Sequence, residues 1–155
     1  MAEAVAELLE YKPGDPLEPI VKNLGGTIEI ADPDATDVNY GSIVAENDRF
    51  VISLPLDSSP SRDRFTLAHE LGHLLLHYRY RRLELGENIP KMRANRFGDD
   101  QAEYEANWFA AAFLMPGKAF RAVYSALEGS IPAIADKFKV SQSAAAVRAK
   151  SLKLP

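Results

Sequence analysis

The 155-residue chain has no cysteine. That absence excludes a disulfide framework, a Cys-based zinc ribbon, an iron–sulfur cluster and a thiol nucleophile. Any metal site must use His, Asp or Glu. Histidine is also scarce: the three present, His69, His73 and His77, fall within nine residues of one another. No apolar run approaches the roughly 18 residues of a membrane span, so no membrane association is expected. The stretch Met1–Glu7 is acidic and lacks the basic flank of a secretory leader, so the expected location is the cytoplasm. Positive charge is not in excess either. With 18 basic and 22 acidic side chains the net charge is −4, which argues against bulk nucleic-acid binding. Residues 131–155 depart from this: five basic groups (Lys137, Lys139, Arg148, Lys150, Lys153) face Asp136 alone, a local +4 that leaves −8 elsewhere.

What is present suits one domain, expected over residues 1–155. A 46% hydrophobic and 26% charged chain of this length can bury its own core. Residues 2–11 read as a short helix with Val5, Leu8 and Leu9 on one face. Asp15-Pro16 looks like an N-cap and first-turn proline, and Leu17, Ile20, Val21 and Leu24 then form one helical stripe ended by Gly25-Gly26. Strands are expected at Thr27–Ile30, Ser42–Ala45 and Phe50–Leu54, the last two joined by the turn Glu46-Asn47-Asp48. Asp32-Pro33-Asp34 opens the loop between the first two. Ser59-Pro60 caps a long helix to about Tyr80. Residues 81–99, with Gly86, Pro90 and Gly98, show no period and read as a loop. Helices are then expected at about 100–115, 118–128, 131–138 and 142–151. The class is α+β: a small, mostly antiparallel sheet of about three strands packed on a helical body.

The chemistry sits in His69-Glu70-Leu71-Gly72-His73, an HExxH motif inside that capped helix. Two histidines four apart lie one turn apart on one face, and their rings can converge on a tetrahedral zinc. Glu70 stands about 100° round the helix from His69, beside the metal, where it can act as the general base on the attacking water. Leu67, Leu71, Leu74 and Leu75 back the helix with apolar surface, and Gly72 lets another backbone approach.

The third ligand has two candidates. His77 lies about 12 Å along an unbroken helix from His69, too far to share one ion, and Leu74-Leu75-Leu76 offers no glycine to turn the chain. It is assigned to packing or hydrogen bonding. The helix at 100–115 supplies a carboxylate instead. Glu103, Ala106, Asn107 and Ala110 make a narrow polar-and-small face, with Glu103 placed to bind zinc and Asn107 to hydrogen-bond a ligand histidine. A carboxylate at a helix start is also favoured by the helix dipole alone; the HExxH motif and the lack of another ligand tip the assignment to metal. Glu105 is expected to point to the opposite side.

Arg64-Phe65-Thr66-Leu67-Ala68-His69-Glu70-Leu71-Gly72-His73-Leu74-Leu75-Leu76-His77 and Glu103-Tyr104-Glu105-Ala106-Asn107-Trp108-Phe109-Ala110-Ala111-Ala112-Phe113-Leu114-Met115-Pro116 together resemble the ImmA/IrrE family of metallo-endopeptidases. The resemblance covers about residues 16–155. It implies a gluzincin-like minimal protease domain, with Glu103 as third zinc ligand by its place in the E-x-x-A-N segment. It also implies a substrate: helix-turn-helix repressors cut in mobile-element induction and stress responses. Some members are encoded beside such a repressor and described as toxins. Others carry an added DNA-binding domain, for which this chain leaves no room.

Residues 134–148 read like a helix-turn-helix with Lys139 in place of the usual turn glycine, yet similar helix pairs end catalytic domains of this family. They are read as body, with Ile134, Phe138, Val140 and Val147 supplying apolar faces, and direct DNA binding is not expected. The loop at 79–96 carries Arg79, Arg81, Arg82, Lys91, Arg93 and Arg96 and is read as a solvated lid.

The expectation is therefore a zinc endopeptidase holding one Zn2+ per chain through His69, His73 and Glu103, with Glu70 as base and Asn107 behind the ligands. Tyr78, Tyr104 and an arginine of the 79–96 loop are candidates to steady the oxyanion. The substrate is expected to lie extended along Phe50–Leu54 as an edge strand. The partner is expected to be a helix-turn-helix repressor or antitoxin encoded nearby. The rival is a non-catalytic zinc protein that acts as a toxin or anti-repressor by binding such a partner; the presence of Glu70 favours catalysis.

Overall fold

The computed structural model describes residues 1–34, 40–95 and 100–155. Its elements are α1 (Ala2–Leu8), α2 (Glu18–Asn23), β1 (Gly26–Ile30), β2 (Ser42–Glu46), β3 (Arg49–Leu54), α3 (Pro60–Gly72), a π-helical segment (His73–Arg79), α4 (Tyr80–Leu83), β4 (Lys91–Asn95), α5 (Asp100–Leu114), α6 (Gly117–Ala126), α7 (Ile131–Phe138) and α8 (Gln142–Ser151). The α+β class stands: among the described residues an open four-stranded sheet in the order β1-β3-β2-β4 packs on a helical body. Strand β2 pairs antiparallel with both β3 and β4, while β1 runs parallel to β3.

The fourth strand comes from the stretch expected to be loop. Lys91-Met92-Arg93-Ala94 alternates, with Met92 and Ala94 half-buried against the core and Lys91 and Arg93 exposed. A five-residue alternation beside Gly and Pro is too short to stand out from polar surroundings. α4 also falls in that stretch. The strand order corrects a second expectation. β3 has partners on both sides, so Phe50–Leu54 cannot take an added strand. Among the described residues the sheet's outer strands are β1 and β4.

Local chemistry explains most boundaries. Ser59 Oγ accepts from the Arg62 N–H, and Pro60 occupies the first turn of α3. α2 starts later than Asp15-Pro16 suggests. The Asp15 carboxylate takes the Lys12 N–H and closes the preceding turn, and α2 begins at Glu18 with Pro19 in its first turn. Asn47 turns β2 into β3 with a left-handed backbone, φ 55°, a conformation asparagine tolerates better than most residues.

One core joins sheet and helices. Ile43 and Ile52 of the sheet, Leu71 and Leu74 behind the HExxH motif, and Phe113 of α5 are all buried in it. The last two helices belong to the same core. Ile134 and Phe138 are fully buried, and the Phe138 ring stacks on Phe120 at 5.4 Å. Lys139, at φ 53°, ends α7, and the Val140 N–H returns to the Ala135 carbonyl. Arg148 bonds the Met115 carbonyl and Glu3, tying α8 to α1 and to the residue that follows α5. Val147 departs from expectation: it is 63% exposed, on the outer face of α8. Phe138→Ala should thus destabilise the whole domain by about 3–5 kcal/mol, lowering Tm by on the order of 10 °C in a thermal melt, whereas Val147→Ala should leave Tm nearly unchanged.

Candidate metal centre

The HExxH helix is held from two sides. Every residue from Thr66 to Gly72 is buried, and α3 packs most extensively on α5. Gly72 permits that closeness: a Cβ there would lie 3.1 Å from Ala106 Cα and 3.2 Å from Phe109 Cβ. Gly41, at the mouth of β2, does the same on the sheet side. A Cβ there would collide with Thr66 Cγ2 and stand 3.2 Å from Glu70 Oε1. The two glycines let α5 and β2 close around the motif, which brings Glu103 across from one side and sheet backbone to Glu70 on the other.

His69, His73 and Glu103 converge. Their Nε2 atoms lie 3.1 Å apart, His69 Nε2 is 3.3 Å from Glu103 Oε2, and His73 Nε2 is 3.0 Å from Glu103 Oε1. Ligands about 2.0–2.1 Å from a tetrahedral zinc would lie about 3.3 Å from one another, so this cluster is already near the size of such a site. His69 and His73 are almost wholly buried, and Glu103 is one-fifth exposed at its side chain. Burial, reinforced by His69 and His77 close by, pushes the His73 imidazole down to about 3. It is neutral at physiological pH, the form that offers a lone pair to a cation. Asn107 Oδ1 sits 3.0 Å from His69 Nδ1. An amide oxygen only accepts, so His69 carries its proton on Nδ1 and turns the Nε2 lone pair inward. Two imidazole nitrogens and a carboxylate with a remaining face match the donor set of a catalytic zinc. The residues fit the ion.

His77 stays outside this cluster. After Gly72 the helix widens, and the Tyr80 N–H reaches back five residues to the Leu75 carbonyl. His77 Nδ1 is 3.1 Å from His73 Nδ1, and its Nε2 is 3.0 Å from Glu105 Oε2. Glu105, expected to point to the opposite side, instead meets His77. Its long side chain reaches the π-helical segment, which also packs on α5. Gln101, then His77, hold its carboxyl below the usual carboxylate range. Sequence reasoning missed this link, although a histidine four residues after His73 was its visible signal.

The oxyanion candidates separate. Tyr78 is fully buried, and its hydroxyl donates to the Pro90 carbonyl and accepts from Arg82. Tyr104 is 59% exposed beside Trp108 and lines, with Thr66 and Asn107, a groove of about 800 Å3 between α3, α5 and α8. Three of the arginines expected in a lid have partners within the fold. Arg79 bonds the Leu24 carbonyl, Arg82 the Asn47 carbonyl, and Arg81 pairs with Glu87. Lys91 and Arg93 lie on β4, and Arg96 falls outside the described residues.

The family model described as IrrE N-terminal-like domain, Peptidase_M78, matches residues 23–150. The chain belongs to this family. The family is a metallopeptidase family, and the His-His-Glu cluster falls inside the matched span. No curated protein matches the chain significantly. Among solved structures it resembles a Mycobacterium tuberculosis transcriptional regulator, with a TM-score of 0.68 at 17% identity. That likeness shows the fold. It covers 99% of this chain and 47% of the regulator, so the IrrE-like chain spans about half the length of that protein. Among the described residues no helix is long and apolar enough to cross a membrane.

Proposed function

We propose that the chain is a zinc-dependent endopeptidase that cuts a helix-turn-helix transcriptional repressor or an antitoxin of that kind, in the cytoplasm. The observation that carries the reading is the cluster of His69, His73 and Glu103, whose ligand atoms all lie within 4.8 Å of one another, with Glu70 next to it in the same buried helix. Family membership supports hydrolysis of peptides. The fold shared with a transcriptional regulator favours a substrate drawn from transcriptional control.

In this reading His69, His73 and Glu103 hold the cation and Asn107 fixes the His69 ring. A bound zinc ion supplies Lewis-acid polarisation of the scissile carbonyl and acidifies water. Glu70 takes the proton from the attacking water and delivers it to the leaving amine nitrogen as the C–N bond breaks. Its burial beside Gly41 and Thr66 keeps bulk water from competing for that proton. The substrate adds as a strand to β4, whose Asn95 end pairs with Ser42 next to Gly41 and hence near Glu70. Apolar side chains of the substrate enter the groove lined by Trp108 and Phe65. Tyr104, which lines that groove, is the remaining tyrosine candidate to donate to the oxyanion; the Tyr78 hydroxyl is already committed to Pro90 and Arg82.

The test is direct. The protein loaded with zinc is incubated with helix-turn-helix proteins encoded near its gene, where its genome holds them, with and without chelator, and the products are weighed by mass spectrometry. One discrete cut that chelator abolishes is expected. An intact partner that binds tightly and loses its operator affinity would instead make the chain a non-catalytic anti-repressor.

A further inference from the structure

We infer that His77 and Glu105 are positioning residues that form a two-step relay behind the ligand His73 and set how tightly the cluster holds its cation. The inference rests on the metal-centre reading above.

The direction of each hydrogen bond is fixed by chemistry. Glu105 Oε2 only accepts, so the contact at 3.0 Å places the proton on His77 Nε2. A ligand His73 keeps its Nε2 lone pair for the cation and so carries its proton on Nδ1. His77 Nδ1 lies 3.1 Å from that atom and accepts. With its proton on Nδ1, His73 turns the Nε2 lone pair toward His69 and Glu103. The opposite end is also held: Gln101 Nε2 donates to the second Glu105 oxygen at 2.7 Å. The result is a continuous chain, Gln101 to Glu105 to His77 to His73, in which one tautomer satisfies every link.

The two ligand histidines are thus supported differently. His69 leans on an amide one bond away, Asn107. His73 leans on a second imidazole that itself leans on a carboxylate. Partners of this kind fix ring orientation and raise ligand basicity, and removing one commonly weakens metal binding by about 10–100-fold. The relay draws on both elements that carry ligands. His77 is on the segment that continues α3, and Glu105 is on α5 with Glu103. It therefore also couples the ring of His73 to the helix that supplies the carboxylate ligand.

The experiment is a zinc competition titration against a chromophoric chelator, which needs no substrate, with melting of each metal-free protein as a folding control. His77→Ala should still bind about one zinc per chain at saturation but about 10–100-fold more weakly. Glu105→Ala should weaken binding less, because His77 remains. The double variant should match His77→Ala, since Glu105 acts only through His77. His77→Asn should restore affinity to within roughly a few-fold of the parent, because its Oδ1 takes the place of the imidazole Nδ1 and accepts from His73 as Asn107 does from His69. In that background Glu105→Ala should have no effect. Affinities equal to the parent in His77→Ala, or independent and additive losses from the two sites, would overturn the relay while leaving the metal centre intact. A parent protein that takes up no zinc would overturn both.

Discussion

Glu70→Gln should keep the fold and the zinc and lose peptide cleavage. The amide has nearly the shape of the carboxylate and fills the same buried place between Gly41 and the HExxH turn. It is not one of the three converging ligands, so chelator competition should give the parent's zinc affinity. What it lacks is basicity: a neutral amide cannot take the proton of the attacking water or return it to the amine. Loss of general-base catalysis removes typically about 10²–10⁴-fold of rate, roughly 3–5 kcal/mol of barrier. In a gel assay over hours the fragment should vanish. Cleavage at the parent's rate by a Glu70→Gln protein of verified composition would require another base, and would return the chemistry to an unassigned residue.

The motif was legible because its spacing is its geometry. Residues four apart on a helix face the same way, so HExxH states that His69 and His73 share one face beside Glu70 once the helix is recognised from Ser59-Pro60 and the leucines behind it. Glu103 and Asn107 were legible for the same reason, one turn apart on a face thinned by Ala106 and Ala110. The α+β class followed from period-2 runs among helical stripes. What was not legible depends on contacts across the chain. The parallel pairing of β1 with β3, which makes β3 interior, is set by packing rather than by any residue in β3. β4 is recognisable as a strand only with β2 beside it, since its five residues carry too little apolar surface. The basic residues of 79–93 look like a solvated lid in sequence; their carbonyl partners, Leu24 and Asn47, are 55 and 35 residues away for Arg79 and Arg82. Glu105 was misplaced for a related reason. A helical wheel puts it away from Glu103, but it ignores both the length of the side chain and the widened turn that carries His77.

Glu103→Ala should abolish tight zinc binding while leaving the protein folded. The Glu103 side chain is one-fifth exposed and lies outside the apolar core, so its loss opens no internal cavity of the kind that destabilises by several kcal/mol. Its carboxyl group, however, touches the His69 and His73 imidazoles, at 3.3 and 3.0 Å, and is the acidic group of the cluster. Without it two neutral nitrogens face the cation, and a dication desolvated among buried side chains has nothing to balance it. The loss should exceed the ~10–100-fold expected from removing an outer partner such as Asn107 or His77. Metal analysis after dialysis should therefore find near-stoichiometric zinc in the parent and almost none in Glu103→Ala, with Asn107→Ala between them and all three melting as folded proteins when metal-free. His73→Ala should behave like Glu103→Ala. The decisive comparison is Glu103→Ala against His77→Ala. Zinc retained by the first and lost by the second would exchange their roles, making His77 the ligand and Glu103 a solvated carboxylate at the start of α5.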